Sequence, residues 1–141
     1  KHRGVLTNVV LSGKEYAGTA GTDKRNVLAA FNRNRKDITF FANAHRGDLE
    51  GPALQRELGG IFQHETAHAI EDKLGPKFSK DWARIVKAEA ATVSDYANVS
   101  TEEDFAETVR HAWSSDKNER RVVERFFPQR MEALKKWGLI E

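Results

Sequence analysis

Residues 61–75 read IFQHETAHAIEDKLG, and the reading of the whole chain turns on them. Leu54, Leu58, Ile61, Phe62, Ala69 and Leu74 recur at about helical spacing. This predicts a helix that starts near Glu50-Gly51-Pro52 and stops at Gly75-Pro76. Residues four apart on a helix stand on one face, one turn apart, so His64 and His68 can present their rings to a single point. Glu65 lies one step round the helix and reaches the side of that point. The spacing H-E-x-x-H thus suits two imidazoles holding one metal ion and a carboxylate taking a proton from a water beside it. Two histidines, one further protein ligand and a water make the usual catalytic zinc arrangement, so the expected cofactor is one Zn2+ per chain.

The third ligand has to come from another segment, because three ligands on one straight helix cannot surround a metal. The extended H-E-x-x-H-x-x-G-x-x-H pattern needs glycine at Glu71 and histidine at Leu74, and is absent. The best source is the stretch from Tyr96 to Glu107. Ser100 or Thr101 can cap a helix there, with acidic residues in its first turn. Glu103, Glu107 and His111 then fall on one face at four-residue steps. Glu103 is expected as the third ligand, and Glu107 as the carboxylate that accepts the free ring N–H of His64 and fixes its tautomer. Glu107 as ligand with Glu103 outside it is the competing arrangement, and His111 is the weaker candidate, more in keeping with an ordinary helix histidine. Tyr96 offers a neutral phenol donor at neutral pH. Its spacing alone better suits a tyrosine packed between two helices with its hydroxyl in water.

The segment with Tyr96, then Glu103 seven residues on, then Phe105-Ala106-Glu107, resembles the anthrax lethal factor-like zinc metallopeptidases, whose relatives include the secreted Pro-Pro endopeptidases. In that family the metal helix often continues with alanine, an apolar residue and two acids, here Ala69-Ile70-Glu71-Asp72. The matching blocks cover roughly residues 60–75 and 95–115, and Ala67 stands where the family commonly has glycine. The resemblance implies zinc on His64, His68 and Glu103, Glu65 as general base and Tyr96 as the group that stabilises the oxyanion. It implies a zinc-dependent endopeptidase acting on a peptide or protein substrate, secreted by a bacterium or delivered into a target cell as a toxin effector domain. An inhibitor or immunity protein would be a partner in such a setting.

Two other readings use the same residues. Glu65-x-x-His68 is also the E-x-x-H of carboxylate-bridged di-iron bundles, but those need a second copy, and Glu107 and His111 are four apart rather than three. A non-enzymatic, metal-stabilised toxin or interaction module would need the ligands but not Glu65.

Composition bounds the class. With 141 residues, 39% hydrophobic and 31% charged, the chain suits one domain over residues 1–141 with one adequate core. No apolar run is long enough to insert into a membrane. The chain has no cysteine, which excludes disulfides and zinc–thiolate sites. It begins with lysine and shows no signal-peptide pattern, as expected of a mature product or excised domain. Net charge is +2, with basic residues concentrated before Arg46 and again after Lys117. The later set (Arg120, Arg121, Arg125, Arg130, Lys135, Lys136) alternates with Glu119, Glu124 and Glu132, the pattern of a solvated helix face, so no nucleic-acid partner is expected.

Along the chain, residues 5–11 read as a short strand, residues 12–21 as a loop and residues 26–34 as a short helix carrying Val27, Leu28, Ala30 and Phe31 on one face. Residues 37–42 are the clearest strand. They are either the edge that pairs with an extended substrate or a plain core strand. Residues 43–51 form a loop with His45 facing solvent. Helices are expected at residues 80–93, 101–114 and 118–137, the last broken at Pro128. Trp82, Ile85 and Val86 share a face, as do Val122, Val123, Phe126 and Phe127, and Trp113 and Trp137 read as core or boundary. The expected architecture is α+β: a small N-terminal mixed sheet with an edge strand beside the metal helix, then a mostly helical C-terminal half, gluzincin-like.

Overall fold

The structure is a computed structural model describing residues 6, 8–12, 28–41, 44 and 49–141. The loop assigned to residues 13–21, the start of the expected helix at 26–34 and His45 lie outside the described residues. Three strands, β1 (Asn8–Leu11), β2 (Ala29–Asn32) and β3 (Asp37–Phe40), are followed by α1 (Gly51–Leu74), α2 (Pro76–Glu89), a single 3-10 turn (Tyr96–Asn98), α3 (Thr101–Ala112), α4 (Lys117–Phe126) and α5 (Pro128–Lys136). The class is α+β, with a small mixed sheet and a mostly helical remainder.

The sheet order is β1-β3-β2, with β1 parallel to β3 and β2 antiparallel to it. Asp37–Phe40, within the expected strand at residues 37–42, is therefore the central of the three described strands, not an edge; residue 42 lies outside the described residues. Ile38 is fully buried there, so of the two sequence readings the core strand holds. The expected helix at residues 26–34 is also corrected, because Ala29–Asn32 is a strand paired residue for residue with β3. Turn chemistry competes with the helical spacing at this point. The Asn32 carboxamide oxygen accepts from the backbone N–H groups of Asn34 and Arg35, and Lys36 takes a left-handed φ of 56°, closing a hairpin. Phe41 N–H bonds to the Leu28 carbonyl and Lys36 N–H to the Asn32 carbonyl. Residues 28, 30 and 32 therefore turn their backbone groups toward β3, and Ala29 and Phe31 turn theirs to the opposite edge, which faces α1 and has no strand partner among the described residues.

α1 begins and ends where the sequence places it. At its end Gly75 adopts a φ of 77° and its N–H returns to the Glu71 carbonyl, a position glycine fills without strain. Pro76 then opens α2 in its first turn, so α2 starts four residues before the expected Lys80. It ends at Ala90, which is left-handed (φ 52°), short of the expected Val93. Pro128 lacks the N–H needed to continue a helix and separates α4 from α5, as expected.

The main core lies between α1, α2, α3 and α5. Phe105 meets Phe78 and Trp82 there edge to face, with ring centroids 4.8 Å and 5.1 Å apart, while Phe78 and Trp82 stack on each other. Trp113 and Trp137 are partly buried against this core. A smaller cluster of Ala29, Ile38 and Ile61 joins the sheet to the first half of α1. The face assigned to α4 is only half right: Val123 and Phe127 are buried, whereas Val122 and Phe126 are exposed.

One polar cluster crosses this core. Arg130 and Asp104 are both fully buried and meet through two parallel bonds, Nε to Oδ1 at 2.9 Å and Nη2 to Oδ2 at 2.8 Å. Trp82 Nε1 adds a third bond to Asp104, and Arg130 also donates to Glu89 and to the Ala91 carbonyl. The cluster ties the end of α2 to α3 and α5, with its charges paired and hydrogen-bonded as burial requires.

Candidate metal centre

α1 and α3 pack against each other and bring the two sequence segments together. His64 and His68 lie one turn apart, with their Nε2 atoms 3.1 Å from each other. α3 starts at Ser100, whose side chain accepts from the Glu103 N–H at 3.2 Å. This cap fixes the first turn of α3, and with it the direction of the Glu103 side chain. Glu103 Oε2 lies 3.0 Å from His64 Nε2 and 3.4 Å from His68 Nε2. Tetrahedral bonds of 2.0–2.1 Å imply ligand atoms about 3.3 Å apart, and all three separations fall near that edge length. His64, His68 and Glu103 are near enough to one another to bind one metal ion.

The environment of that oxygen supports the fit. Glu103 Oε2 is buried and makes no well-aligned hydrogen bond with any described residue; only the two imidazole nitrogens stand before it, at 3.0 and 3.4 Å. An unpaired buried carboxylate oxygen is costly, and a cation between it and the two imidazoles removes the cost.

Glu107 takes the other expected place. Its Oε1 atom is 2.8 Å from His64 Nδ1, so it accepts the Nδ1 proton and leaves Nε2 facing Glu103 and His68. Oε2 of Glu107 accepts from the Ser94 hydroxyl at 2.8 Å, and Arg110 Nη1 lies 3.4 Å from Oε1. His111 stands outside the group, with Nε2 4.0 Å from Glu107.

The ionisation states follow from these neighbours. Burial works against charge on His64, but the Glu103 and Glu107 carboxylates outweigh it and raise the imidazole to about 9 in the metal-free protein. Burial likewise opposes charge on both carboxylates. The neighbouring His64 and His68 imidazoles nonetheless lower Glu103 to about 2, and the bonds from His64 and Ser94 lower Glu107 to about 2. Metal binding in place of the shared proton is the usual exchange at such a site.

Glu65, one step round α1 from His64, reaches toward the sheet. Its Oε2 accepts from the Phe31 N–H at 2.8 Å, a group that β2 turns away from β3. Burial raises its pKa, and the two histidines and the Phe31 bond pull the other way. A carboxylate raised in this manner is better suited to accept and return a proton near neutral pH. The Tyr96 ring centroid lies 5.8 Å from that of His64. Burial, reinforced by Glu103, Glu65 and Glu107, pushes the Tyr96 phenol up to about 12, so it stays a donor at neutral pH.

Sequence spacing did not anticipate Ser94, Arg110 or the Phe31 backbone. Arg110 lies across α1 at Gly60, where a Cβ would come within 2.9 Å of its Nε. The glycine one turn before His64 was the only trace of that contact in the sequence. A cavity of about 600 Å3 beside Arg110, walled by Arg56, Gly60, Gln63 and Asp116, includes none of the three candidate ligands, nor Glu65 or Tyr96. No family model matches this sequence, and no curated protein matches it.

Proposed function

We propose that this chain is a zinc-dependent endopeptidase with a gluzincin-like ligand set. The observation that carries the reading is the buried, unpartnered Glu103 Oε2 facing His64 Nε2 and His68 Nε2, with Glu65 on the same helix beside them. His64, His68 and Glu103 would hold the zinc, and Glu107 keeps the His64 tautomer that such binding needs. When bound there, zinc supplies Lewis acidity that makes a water acidic near neutral pH and polarises a carbonyl.

The remaining work falls to the chain. Glu65 takes a proton from the attacking water and later delivers it to the leaving amine. Tyr96 donates a hydrogen bond to the carbonyl oxygen as charge develops there. The edge of β2 away from β3, unpaired among the described residues, would offer the Ala29 N–H and the Ala29 and Phe31 carbonyls to an extended peptide, a strand-addition mode that fits a peptide substrate. The role given in sequence to residues 37–42 thus passes to β2. The setting that goes with this reading is a secreted bacterial protease or a delivered toxin effector domain.

The test is the zinc-loaded chain against a broad peptide library, beside its Glu65→Ala twin, with products identified by mass spectrometry. Cleavage by the unsubstituted chain alone is the expected result. No cleavage by either, with one zinc bound per chain, would replace the reading with a metal-stabilised module that is not an enzyme.

A further inference from the structure

Tyr96 and the metal ligands come from separate elements, and a single hydroxyl joins them. Ser94 donates from Oγ to Glu107 Oε2 at 2.8 Å and accepts at the same oxygen from the Ala97 N–H at 3.2 Å. Ala97 is buried in the 3-10 turn whose first residue is Tyr96. Glu107 in turn accepts from His64 Nδ1 at 2.8 Å. The path from metal ligand to tyrosine is thus His64, Glu107, Ser94, Ala97 N–H, with each link a hydrogen bond to a half-buried or buried group. The turn also packs against α3 and closes on itself through Asn98 N–H to the Asp95 carbonyl and Val99 N–H to the Tyr96 carbonyl, while Tyr96 and Val99 stay exposed.

We propose that Ser94 is a positioning residue that couples occupancy of the His64–His68–Glu103 centre to the order of the turn carrying Tyr96. A serine hydroxyl suits this role because it donates and accepts at one atom. Fixing His64 on a metal fixes the Glu107 carboxylate, and Ser94 passes that constraint to the Ala97 amide. The inference rests on the metal centre and stands whether or not the chain cleaves peptides.

Two measurements test it on the full chain, unsubstituted and as Ser94→Ala and Ser94→Thr. The first is zinc affinity by competition with a chelating dye. The second is hydrogen exchange over residues 95–99, with and without zinc. In the unsubstituted chain zinc is expected to slow exchange over 95–99. Ser94→Ala should abolish that slowing and weaken zinc binding by about tenfold, the low end for a group supporting a ligand. Ser94→Thr, which keeps the hydroxyl, should restore both. A purely structural serine would leave zinc affinity unchanged and raise exchange equally in both states, and that result overturns the proposal. So does an unsubstituted chain whose 95–99 exchange ignores zinc, an outcome that needs no variant to fold. Failure of the peptidase reading would show separately, as no cleavage alongside an intact zinc effect on the turn.

Discussion

Two regions of α3, one residue apart in sequence, bury carboxylates in opposite ways. Asp104 faces the core and meets Arg130 and Trp82 with both oxygens bonded. Glu103 faces α1 and holds a buried oxygen that makes no well-aligned hydrogen bond with any described residue, opposite two imidazole nitrogens. The chain can satisfy a buried acid completely, and does so next door. The lesson is that the open valence at Glu103 marks a place where a cation fits, while the saturated cluster at Asp104 is architecture.

The contrast breaks most visibly at the ligands. Glu103→Ala or His64→Ala should lose zinc and turnover together, whereas Glu65→Ala should keep zinc and lower turnover by roughly 100-fold to 10,000-fold. Metal content by elemental analysis beside peptide cleavage reads both, and a Glu65→Ala chain with normal turnover would sink the base assignment. On the other side of α3, Asp104→Asn removes the charge opposite a buried arginine. A loss of about 3–5 kcal/mol in urea unfolding is expected, with little change in zinc affinity of whatever remains folded.

Acidity sharpens the comparison further. His64 is raised to about 9, so its stabilisation of the metal-free chain is complete below its unfolded value of 6.5 and disappears as pH rises through 9. Glu103 and Glu107 are lowered to about 2, so their share is present above 4.5 and disappears as pH falls through 2. The metal-free chain should therefore be most stable between these limits, with saturating zinc removing the alkaline decline. Unfolding midpoints across pH, with chelator and with zinc, would contradict the centre if the alkaline decline persisted in zinc.

The smallest effect concerns Glu71, a buried acid on the same helix that takes one bond from Ser79. Burial raises its pKa, so stability is lost as pH climbs above the unfolded value of 4.5. Glu71→Gln should gain a few tenths of a kcal/mol at pH 7 and nothing at pH 4, seen as a shift of the melting temperature at the higher pH alone.

The readings that held rest on local rules. The α1 limits came from Gly51-Pro52 and Gly75-Pro76, the His64–His68 pairing from the helical repeat, the α3 start from Ser100, and the α4–α5 break from Pro128. Each depends on residues within a turn or two of one another, where backbone geometry alone decides the outcome. The readings that failed depend on distant partners. Phe31 and its neighbours carry helical spacing, yet pairing with β3 and the Asn32 turn make them a strand. Residues 37–42 read equally well as edge or centre, because sheet order is a matter of which strand arrives on the far side.

The sequence by itself determined that two histidines one turn apart on a long helix, and two glutamates one turn apart on a later one, could serve a single ion. Only the tertiary structure decided that Glu103 faces both Nε2 atoms while Glu107 takes the Nδ1 proton, that Phe31 meets Glu65, and that Ser94 links Glu107 to the Tyr96 turn. The physical reason is range. Periodicity and capping act across a few residues of one helix, whereas the angle at which α3 crosses α1 is set by core packing between residues far apart in the chain, and that angle chooses which side chain faces the two imidazoles.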